Sequence, residues 1–350
     1  MIKELPGERA HCLDPRWSTT RRVWRTKGER EEDSGRHRDG ALAAADRKAE
    51  GSATRGGLRT LGYEKRSEPD RPLISVVTAV LDAEATLERT VRSVIEQDYD
   101  NLEYIIVDGG SRDNTVPIIH RHQSAIDYWS SAPDEGLYDA MNRGIELARG
   151  DLIGIVNADD WYAEGALRLV AQTFLERGEA VVHGAMSMVP ADPGRRFVSA
   201  APERLGKLRK GMVVNHPTVF VPKSIYRKFG VFDTSYRIAA DWDLMVRLWR
   251  AGVRFCPIPR VLANFSLGGI SYRYDRRQVE EKRLIRVKNR ICRGRDWHYL
   301  ADRMKLSLPA DWLIKATLCK QRWLAGRNGG RASGKFACAR RGEKDSRCGE

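Results

Sequence analysis

Acidic and amide side chains follow three short apolar runs in the middle of the chain, at the point where each run ends. These polar stretches are Thr78-Ala-Val-Leu-Asp82, Asp108-Gly-Gly-Ser111 and Asn157-Ala-Asp159-Asp160. In an open α/β sheet the ligand lies beyond the carboxyl ends of the strands, so these stretches are the first candidates for a binding site. Mg²⁺ and Mn²⁺ prefer oxygen ligands and are commonly shared between carboxylates and the phosphates of a substrate. The three stretches therefore favour a crevice that binds a nucleotide diphosphate.

Simpler roles for the same carboxylates stay open. Asp159 or Asp160 could cap the helix that follows, and Asp108 could form the turn that leads into two glycines. A dinucleotide fold would place GxGxxG directly after the first strand, and the segment TAVLDAE at 78–84 contains no glycine. A nicotinamide or flavin dehydrogenase is therefore disfavoured.

The elements that would position these residues alternate between strand and helix. Short apolar runs predict strands at 73–79, 102–108, 126–129 and 152–156, with further short candidates at 180–183 and 218–221. Helical spacing of apolar residues predicts helices at 84–97, 113–122, 137–149, 164–176 and 240–251. This alternation indicates an α/β fold with a doubly wound, mostly parallel sheet.

Charge and composition divide the 350 residues into four parts. Residues 1–70 mix charged and small residues without a sustained period, which predicts disorder. Residues 71–270 are close to neutral, and 271–350 carry 22 Lys and Arg against 9 Asp and Glu, which is most of the net charge of +14. Within that region we expect a basic, partly amphipathic helical segment at 271–325, with helices at 275–291 and 311–323, followed by a flexible tail at 326–350.

Composition and charge also predict where the chain is located and which partners it has. Neither a run of about eighteen apolar residues nor the apolar block of a signal peptide occurs, so we expect a cytoplasmic protein. The basic segment, with Trp312 and Trp323, suits the anionic inner face of a membrane. It lacks the interleaved aromatic residues on which bases stack, which disfavours nucleic acid as a partner. The six cysteines form no CxxC pair, so reduced thiols are expected.

Three longer motifs carry a family resemblance. They are ISVVTAVLDAEATLERTVRSVIEQDYDNLEYIIVDGGSRDNT at 74–115, PDEGLYDAMNRGIELARGDLIGIVNADDWY at 133–162 and IAADWDLMVRL at 238–248. Together they make the region 72–270 resemble the family 2 glycosyltransferases, which have the nucleotide-sugar-binding α/β fold called GT-A. Within that family the chain is similar to bacterial enzymes that build exopolysaccharide, O-antigen or other cell-surface glycans.

The resemblance implies a role for each residue that matches a family motif. Asp159 would bind Mn²⁺ or Mg²⁺, and Asp241 would be the general base. Asp108 would accept the imide proton of uracil, for which a charge-assisted hydrogen bond is suitable. The remaining positions that would contact the nucleotide sugar are Thr78, Ala79, Val80, Asp134, Gly136, Asp139, Asn142, Asn157, Ala158, Asp160 and His216. Capping or packing stays an alternative for Asp139, Asn142, His216 and Asp241.

The chain also departs from the family pattern at four positions. Asp82 stands where the family usually has Asn, Gly109 where it often has Asp, and Asn157 where the metal motif often has its first Asp. Ala240 replaces the Glu that normally precedes the base.

The expected function is metal-dependent, inverting transfer of a sugar from a nucleotide sugar to a hydroxyl of a lipid-linked or growing glycan. A UDP-sugar is the favoured donor. A polyprenyl-phosphate sugar transferase is the alternative enzyme, since a phosphate acceptor needs no strong base. A catalytically inactive protein that binds nucleotide sugars is the alternative outside enzymes.

Overall fold

The apolar runs of the central region form neighbouring strands of one large sheet. A computed structural model describes residues 10–25, 54–190, 196–267, 276–291 and 297–305. The strands in these ranges are β1 (Trp24–Arg25), β2 (Thr54–Gly56), β3 (Tyr63–Glu64), β4 (Ile74–Val80), β5 (Leu102–Asp108), β6 (Tyr128–Ser131), β7 (Leu152–Ile155), β8 (Trp161–Tyr162), β9 (Val181–Val189), β10 (Phe197–Ser199), β11 (Phe220–Pro222) and β12 (Phe255–Ser266). The helices are α1 (Leu87–Ile95), α2 (Thr115–His122), α3 (Leu137–Leu147), α4 (Ala166–Arg177), α5 (Lys223–Phe229), α6 (Ala240–Arg250), α7 (Arg276–Lys288) and α8 (Trp297–Lys305).

The strand order of the large sheet is β2-β6-β5-β4-β7-β11-β9-β12-β8, with β10 paired to β9. Strands β6, β5, β4 and β7 are parallel to one another, as the alternation of strand and helix predicts. Val80 pairs with Asp108 and Val77 with Ile155, so the carboxyl ends of β4, β5 and β7 lie side by side. The three polar stretches that follow these strands therefore meet at one edge of the sheet.

Helices cover both faces of the sheet, because alternate residues of the buried strands point to opposite sides. Helices α1, α2 and α4 pack on one face in an apolar cluster that includes Val76, Ile106 and Val91. Helices α3, α5 and α6 pack on the other face around Val77 and Ile153. Fully burying a side chain of this size contributes about 1.5–3 kcal/mol to the free energy of unfolding, so the two clusters stabilise the sheet and the edge at which the polar stretches meet.

Parts of the N-terminal region are folded, and the expectation of disorder over 1–70 is wrong for residues 10–25 and 54–70. Strand β2 extends the large sheet by pairing with β6, and β1 pairs with β3. The buried hydroxyls of Ser18 and Thr19 donate hydrogen bonds to the carbonyls of Ile95 and Ala125 at 2.9 and 2.7 Å. These segments fold although they are polar, because they bond to the main chain of the core instead of forming an apolar core of their own.

Strand β12 was not predicted, and β9 is longer than the predicted 180–183. Pro257 and Pro259 interrupt β12, and proline normally excludes a segment from the interior of a sheet. Pro259 falls at a register irregularity of the pairing with β9, between Ile258 and Val261, whereas Pro257 stays in register opposite His183.

The first described helix of the basic region packs against the core of the large-sheet domain. Helix α7 lies within the predicted 275–291, and its Val279 and Ile285 are buried. The predicted helix at 311–323 and the tail at 326–350 lie outside the described residues. In the ranges that the structure describes, no helix is long and apolar enough to cross a membrane.

Candidate active site

The carboxyl end of β4 forms one wall of the cleft. Thr78, Ala79 and Val80 are buried, and the Thr78 hydroxyl lies 3.1 Å from the Tyr104 hydroxyl. That contact turns the Thr78 side chain into the core between β4 and β5. The main chain is therefore what this segment can offer to a ligand.

Asp108 ends β5 and organises the loop that follows it. Its Oδ2 atom accepts hydrogen bonds from the main-chain nitrogens of Gly110 and Ser111 at 3.1 and 3.0 Å and from the Ser131 hydroxyl at 2.6 Å. Its Oδ1 atom accepts from the Ser111 hydroxyl. The residue is 1% exposed and both of its carboxylate oxygens are hydrogen-bonded within the protein, so the carboxylate has little surface to offer a nucleobase in this structure.

Gly109 and Asp134 are in close contact across the cleft. A Cβ atom at position 109 would lie 2.6 Å from Oδ2 of Asp134. The Oδ1 atom of Asp134 accepts a hydrogen bond from the Gly136 nitrogen at 2.8 Å, and burial raises the pKa of this carboxyl. The glycine at 109 thus makes room for Asp134, and a larger residue there would displace it.

Asp139 and Asn142 lie on α3 but make different contacts. Asp139 is buried and forms an ion pair with Arg143 at 2.7 Å. The amide nitrogen of Asn142 donates to the Phe232 carbonyl at 2.9 Å, and its oxygen accepts from the Phe232 nitrogen at 3.0 Å. Since both ends of the amide bond to the main chain of Phe232, Asn142 ties α3 to the segment before α6.

The loop after β7 gathers oxygen atoms that lack partners. Oδ1 of Asn157 and Oδ2 of Asp160 are buried and have no hydrogen-bond partner among the described residues. Burial raises the pKa of the Asp159 carboxyl, and burial together with the neighbouring Asp159 charge raises that of Asp160 well above its ordinary value. Ala158 is buried, and its carbonyl accepts from the Thr90 hydroxyl at 2.9 Å, which fixes the loop against α1. Buried oxygens that need a positive partner are suitable ligands for a divalent cation.

Arg89 is a functional candidate that the sequence did not reveal. Its guanidinium lies over the Trp161 ring, 3.6 Å from the centroid, and donates to the Asp159 carbonyl at 2.9 Å. Burial lowers the pKa of this guanidinium, while the nearby Asp160 and Asp159 carboxylates oppose that effect. Nothing in the local sequence Leu-Glu-Arg-Thr distinguishes Arg89 from a solvent-facing helix arginine. The fold alone places a positive charge beside the acidic loop.

A cavity of about 180 Å³ connects this loop with the start of α6. Its lining includes Asn157 of this loop together with His216 and Asp241. The rest of the lining is mainly apolar and consists of Leu137, Tyr138, Met141, Met186, Met212, Val214, Asn215, Pro217 and Phe265. Candidate diphosphate and base positions, which are far apart in the chain, therefore face the same space.

Asp241 is the second residue of α6, and its carboxylate has few partners. Oδ1 accepts from the Trp242 nitrogen at 2.7 Å and lies 3.5 Å from the Tyr138 hydroxyl. Burial raises the pKa of Asp241, and the nearby His216 opposes this effect. Burial in turn lowers the pKa of His216, whose ring packs edge-on against Phe232. A carboxylate with a raised pKa beside a cavity is well placed to take up a proton.

Asp243, although it lies in the same helical turn, is not available for chemistry. It is fully buried, pairs with Arg247 at 2.8 Å and accepts a hydrogen bond from the Asn289 amide at 2.9 Å. The two acidic residues of this turn therefore have separate roles, and only Asp241 lines the cavity.

Comparisons with known proteins agree with this arrangement. Residues 75–240 match the family described as Glycosyl transferase family 2. The uncharacterized glycosyltransferase Rv1514c of Mycobacterium tuberculosis is 34% identical over 182 residues, which cover 50% of this chain and 68% of the relative. The PGL/p-HBAD biosynthesis glycosyltransferase Rv2957 of the same species is 28% identical over 191 residues, which cover 50% of this chain and 69% of the relative.

A solved structure shows the same fold at low sequence identity. The crystal structure of S. aureus TarS 1-349 in complex with UDP-GlcNAc matches with a TM-score of 0.51 at 16% identity, covering 65% of this chain and 69% of that one. With this architecture, the family match and the relative at 34% identity, the chain belongs to glycosyltransferase family 2 and has the GT-A fold.

Proposed function

We propose that this protein is an inverting glycosyltransferase that moves a sugar from a nucleotide sugar to a hydroxyl of a lipid-linked or growing cell-surface glycan. The favoured donor is a UDP-sugar. The observation that carries the proposal is the shared cavity of Asn157 and Asp241. Asn157 of the loop suited to a diphosphate and the candidate base line one space. Inversion requires the acceptor to attack the anomeric carbon from the face opposite the leaving diphosphate, and in this proposal the sugar lies between these two residues.

Asp241 takes the proton of the acceptor hydroxyl in this proposal. The acceptor oxygen forms the new bond to the anomeric carbon while the bond from that carbon to the diphosphate oxygen breaks. Burial favours the protonated form of Asp241, so the carboxylate accepts a proton more readily than an exposed aspartate does. The apolar lining of the cavity limits the access of water, which would otherwise compete with the acceptor.

The leaving diphosphate would lie against the loop of Asn157, Asp159 and Asp160. The oxygen atoms of these residues fit Mn²⁺ or Mg²⁺, which when bound offsets the negative charge of the leaving diphosphate. In the described part of the chain, no group of three or more His, Cys, Asp or Glu side chains could hold a metal alone. The diphosphate oxygens would therefore complete the ligand set. Arg89, which bonds to the Asp159 carbonyl, adds a fixed positive charge at the same loop.

The acceptor is proposed from the relatives. Rv2957 is described as a PGL/p-HBAD biosynthesis glycosyltransferase, which favours a glycolipid or another cell-surface glycan as the class of acceptor here. The mainly apolar cavity lining is compatible with an acceptor that is not uniformly polar.

An anionic membrane surface is the proposed second partner, and the inner face of the cell membrane the proposed location. Helices α7 and α8 expose four apolar side chains, namely Leu284, Val287, Leu300 and Met304. The basic character of 271–350 complements anionic headgroups, and each Lys or Arg near such a surface contributes about 1 kcal/mol. Trp312 and Trp323, expected at the interface, lie outside the described residues.

A donor panel tests the proposal. The purified full chain is incubated with UDP-glucose, UDP-galactose, UDP-GlcNAc, GDP-mannose or dTDP-rhamnose, each with and without Mn²⁺, and release of the nucleoside diphosphate is measured. We expect one UDP-sugar to be hydrolysed slowly, faster with Mn²⁺, and to yield the inverted anomer by NMR. Turnover that requires an added polyprenyl phosphate would instead favour the alternative enzyme. Binding of UDP-sugars without any release would favour the inactive binding protein.

A further inference from the structure

The carboxylate of Glu281 binds the main chain directly before the helix that carries Asp241. Glu281 lies on α7, outside the region that resembles the family, and is 6% exposed. Its Oε1 atom accepts a hydrogen bond from the Arg237 nitrogen at 2.9 Å. Its Oε2 atom accepts from the nitrogens of Ile238 and Ala239 at 2.9 and 3.0 Å. Three successive main-chain N–H groups thus converge on one buried carboxylate, which forms a strong, charge-assisted anchor.

This anchor lies at the start of a helix whose N-cap residue has no side-chain acceptor. Ala239 occupies the N-cap position of α6 and has no side chain that can accept a hydrogen bond. The next residue, Ala240, is also apolar and fully buried. A carboxylate at a helix N-terminus satisfies free N–H groups and interacts favourably with the helix dipole. Glu281 binds the N–H groups of residues 237–239, at and just before the N-cap, and so places a negative charge at the N-terminus of α6.

The anchored segment leads directly to Asp241. The Ile238 carbonyl accepts a hydrogen bond from the Tyr138 hydroxyl at 2.8 Å, and the same hydroxyl lies 3.5 Å from Oδ1 of Asp241. The peptide unit of Ile238 and its neighbours is therefore held by Glu281 on the N–H side and by Tyr138 on the carbonyl side. Movement of this segment would shift both Tyr138 and the first turn of α6.

Further contacts fix α7 against α6, the helix that carries Asp241. The Asn289 amide, which follows α7, donates to Oδ1 of Asp243 at 2.9 Å. Arg286 lies with its guanidinium carbon 5.6 Å from the centroid of the Trp242 ring and pairs with Asp302 of α8 at 2.9 Å. The packing of α7 against α6 and α8 thus fixes the position of Glu281.

From these contacts we infer that Glu281 is a positioning residue for the transfer reaction, which makes the first helix of the basic region a part of the active-site scaffold. The inference rests on the proposed role of Asp241 as base. Truncation of the chain before α7 would remove Glu281, so we expect it to affect the chemistry as well.

Substitution of Glu281 by Gln tests the inference with little change in shape. The amide oxygen can still accept a hydrogen bond, but the NH₂ group faces N–H donors and cannot. Activity is measured as hydrolysis of the UDP-sugar that the parent protein turns over, and UDP binding is measured by calorimetry. We expect Glu281→Gln to lower kcat on the order of 10- to 100-fold, because small misplacements of a catalytic group have effects of this size. The dissociation constant of UDP should change less than twofold.

Glu280→Gln is the matched control on the same helix. Glu280 pairs with Arg283 near the surface, at 2.7 Å, and makes none of the contacts with residues 237–239. This variant should keep the parental kcat. Hydrogen exchange of the amides of residues 237–239 gives a readout that does not depend on activity or on the donor. These amides should exchange faster in Glu281→Gln than in Glu280→Gln.

A double variant separates positioning from general structural support. In an Asp241→Asn background, adding Glu281→Gln should lower kcat little further, because a residue that acts through Asp241 has no additional effect once Asp241 is neutral. Fully additive losses, parental kcat in Glu281→Gln, or unchanged exchange at 237–239 would each overturn the inference. Parental kcat in Asp241→Asn alone would instead overturn the proposed base, so the two failures are distinguishable. If Glu281→Gln unfolds, Glu281→Asp serves the same tests, since it keeps the charge and shortens the reach.

Discussion

The Tyr138 hydroxyl lies 3.5 Å from Oδ1 of Asp241 and donates a hydrogen bond to the Ile238 carbonyl at 2.8 Å. This hydroxyl therefore joins the start of α3 to the start of α6 at the edge of the cavity. The Tyr138 ring packs against Phe232, with the centroids 5.4 Å apart. Tyr138 fixes the geometry around the candidate base although its own phenol, whose pKa burial raises well above the ordinary value, is not expected to ionise.

Tyr138→Phe should lower kcat about fivefold, which corresponds to the loss of one hydrogen bond of ordinary strength. The pH dependence should change as well. The hydroxyl lowers the pKa of Asp241, so its removal raises that pKa, and a base must be ionised to act. The acid limb of the kcat profile should therefore move to higher pH. Tyr226→Phe, a buried tyrosine of α5 outside the cavity lining, is the control. An unshifted acid limb in Tyr138→Phe would contradict a coupling to Asp241.

Asp159→Ala should remove the effect of metal on donor binding. The parent should bind UDP more tightly with Mn²⁺ than without it, since the Asp159 carboxylate would hold the proposed ion and the ion would offset the charge of the diphosphate. In the variant, calorimetry should give the same UDP dissociation constant in both conditions, and turnover should be lost. The control is Asp98→Ala, which removes an exposed aspartate paired with Arg168 and should leave the metal effect intact. Metal-dependent UDP binding that survives in Asp159→Ala would assign the ion to other residues.

His183→Leu should make the fold less sensitive to acid. His183 is fully buried on β9, neither ring nitrogen has a hydrogen-bond partner among the described residues, and burial lowers its pKa from 6.5 to about 4. Above pH 6.5 the residue is neutral in the folded and unfolded chains. As the pH falls toward 4, the unfolded chain takes up a proton that the folded chain does not, which lowers the free energy of unfolding by about 3 kcal/mol.

Urea unfolding at pH 7.5 and 4.5 measures this effect. The difference in unfolding free energy between the two pH values should be smaller in His183→Leu than in the parent. Exposed His298 on α8 provides the control, and His298→Leu should keep the parental difference. Equal pH dependence in all three proteins would show that another group causes the loss of stability in acid.

The exposed apolar side chains of α7 and α8 should be needed for membrane binding. A variant with glutamine at 284, 287, 300 and 304 should sediment with anionic vesicles of phosphatidylcholine and phosphatidylglycerol at least tenfold less than the parent. Added salt should weaken binding of the parent, because it screens the basic residues. A control variant with glutamine at the exposed residues Leu61, Leu175 and Val198 should bind normally. Equal binding by both variants would rule out this surface as the contact.

Local periodicity predicted much of the fold, because β4, β5 and β7 are short, mainly apolar runs and the helices between them have apolar residues at helical spacing. Local periodicity did not predict the segments whose structure depends on tertiary contacts. β12 contains two prolines, and residues 18–20 are polar, yet pairing with β9 and hydrogen bonds to the core stabilise these segments.

The candidate site was predictable to the extent that strand ends identify it. The stretches after β4, β5 and β7 meet at one edge because parallel strands place their carboxyl ends together. Contacts between distant elements were not predictable. Arg89, Tyr138 and Glu281 reach the site through the packing of α1, α3 and α7, and Asn142 is bonded to the main chain of Phe232 instead of facing the cleft.

The central claim is that Asp241 is the base, and kcat of Asp241→Asn tests it most directly. The amide keeps the shape of the side chain and the acceptor for the Trp242 nitrogen but cannot take up the proton. We predict a kcat lower by a factor on the order of 10² to 10⁴, with a UDP dissociation constant close to that of the parent. Asparagine caps a helix as well as aspartate does, so a capping role alone would leave kcat nearly unchanged. A parental kcat in Asp241→Asn at saturating donor and acceptor would contradict the account.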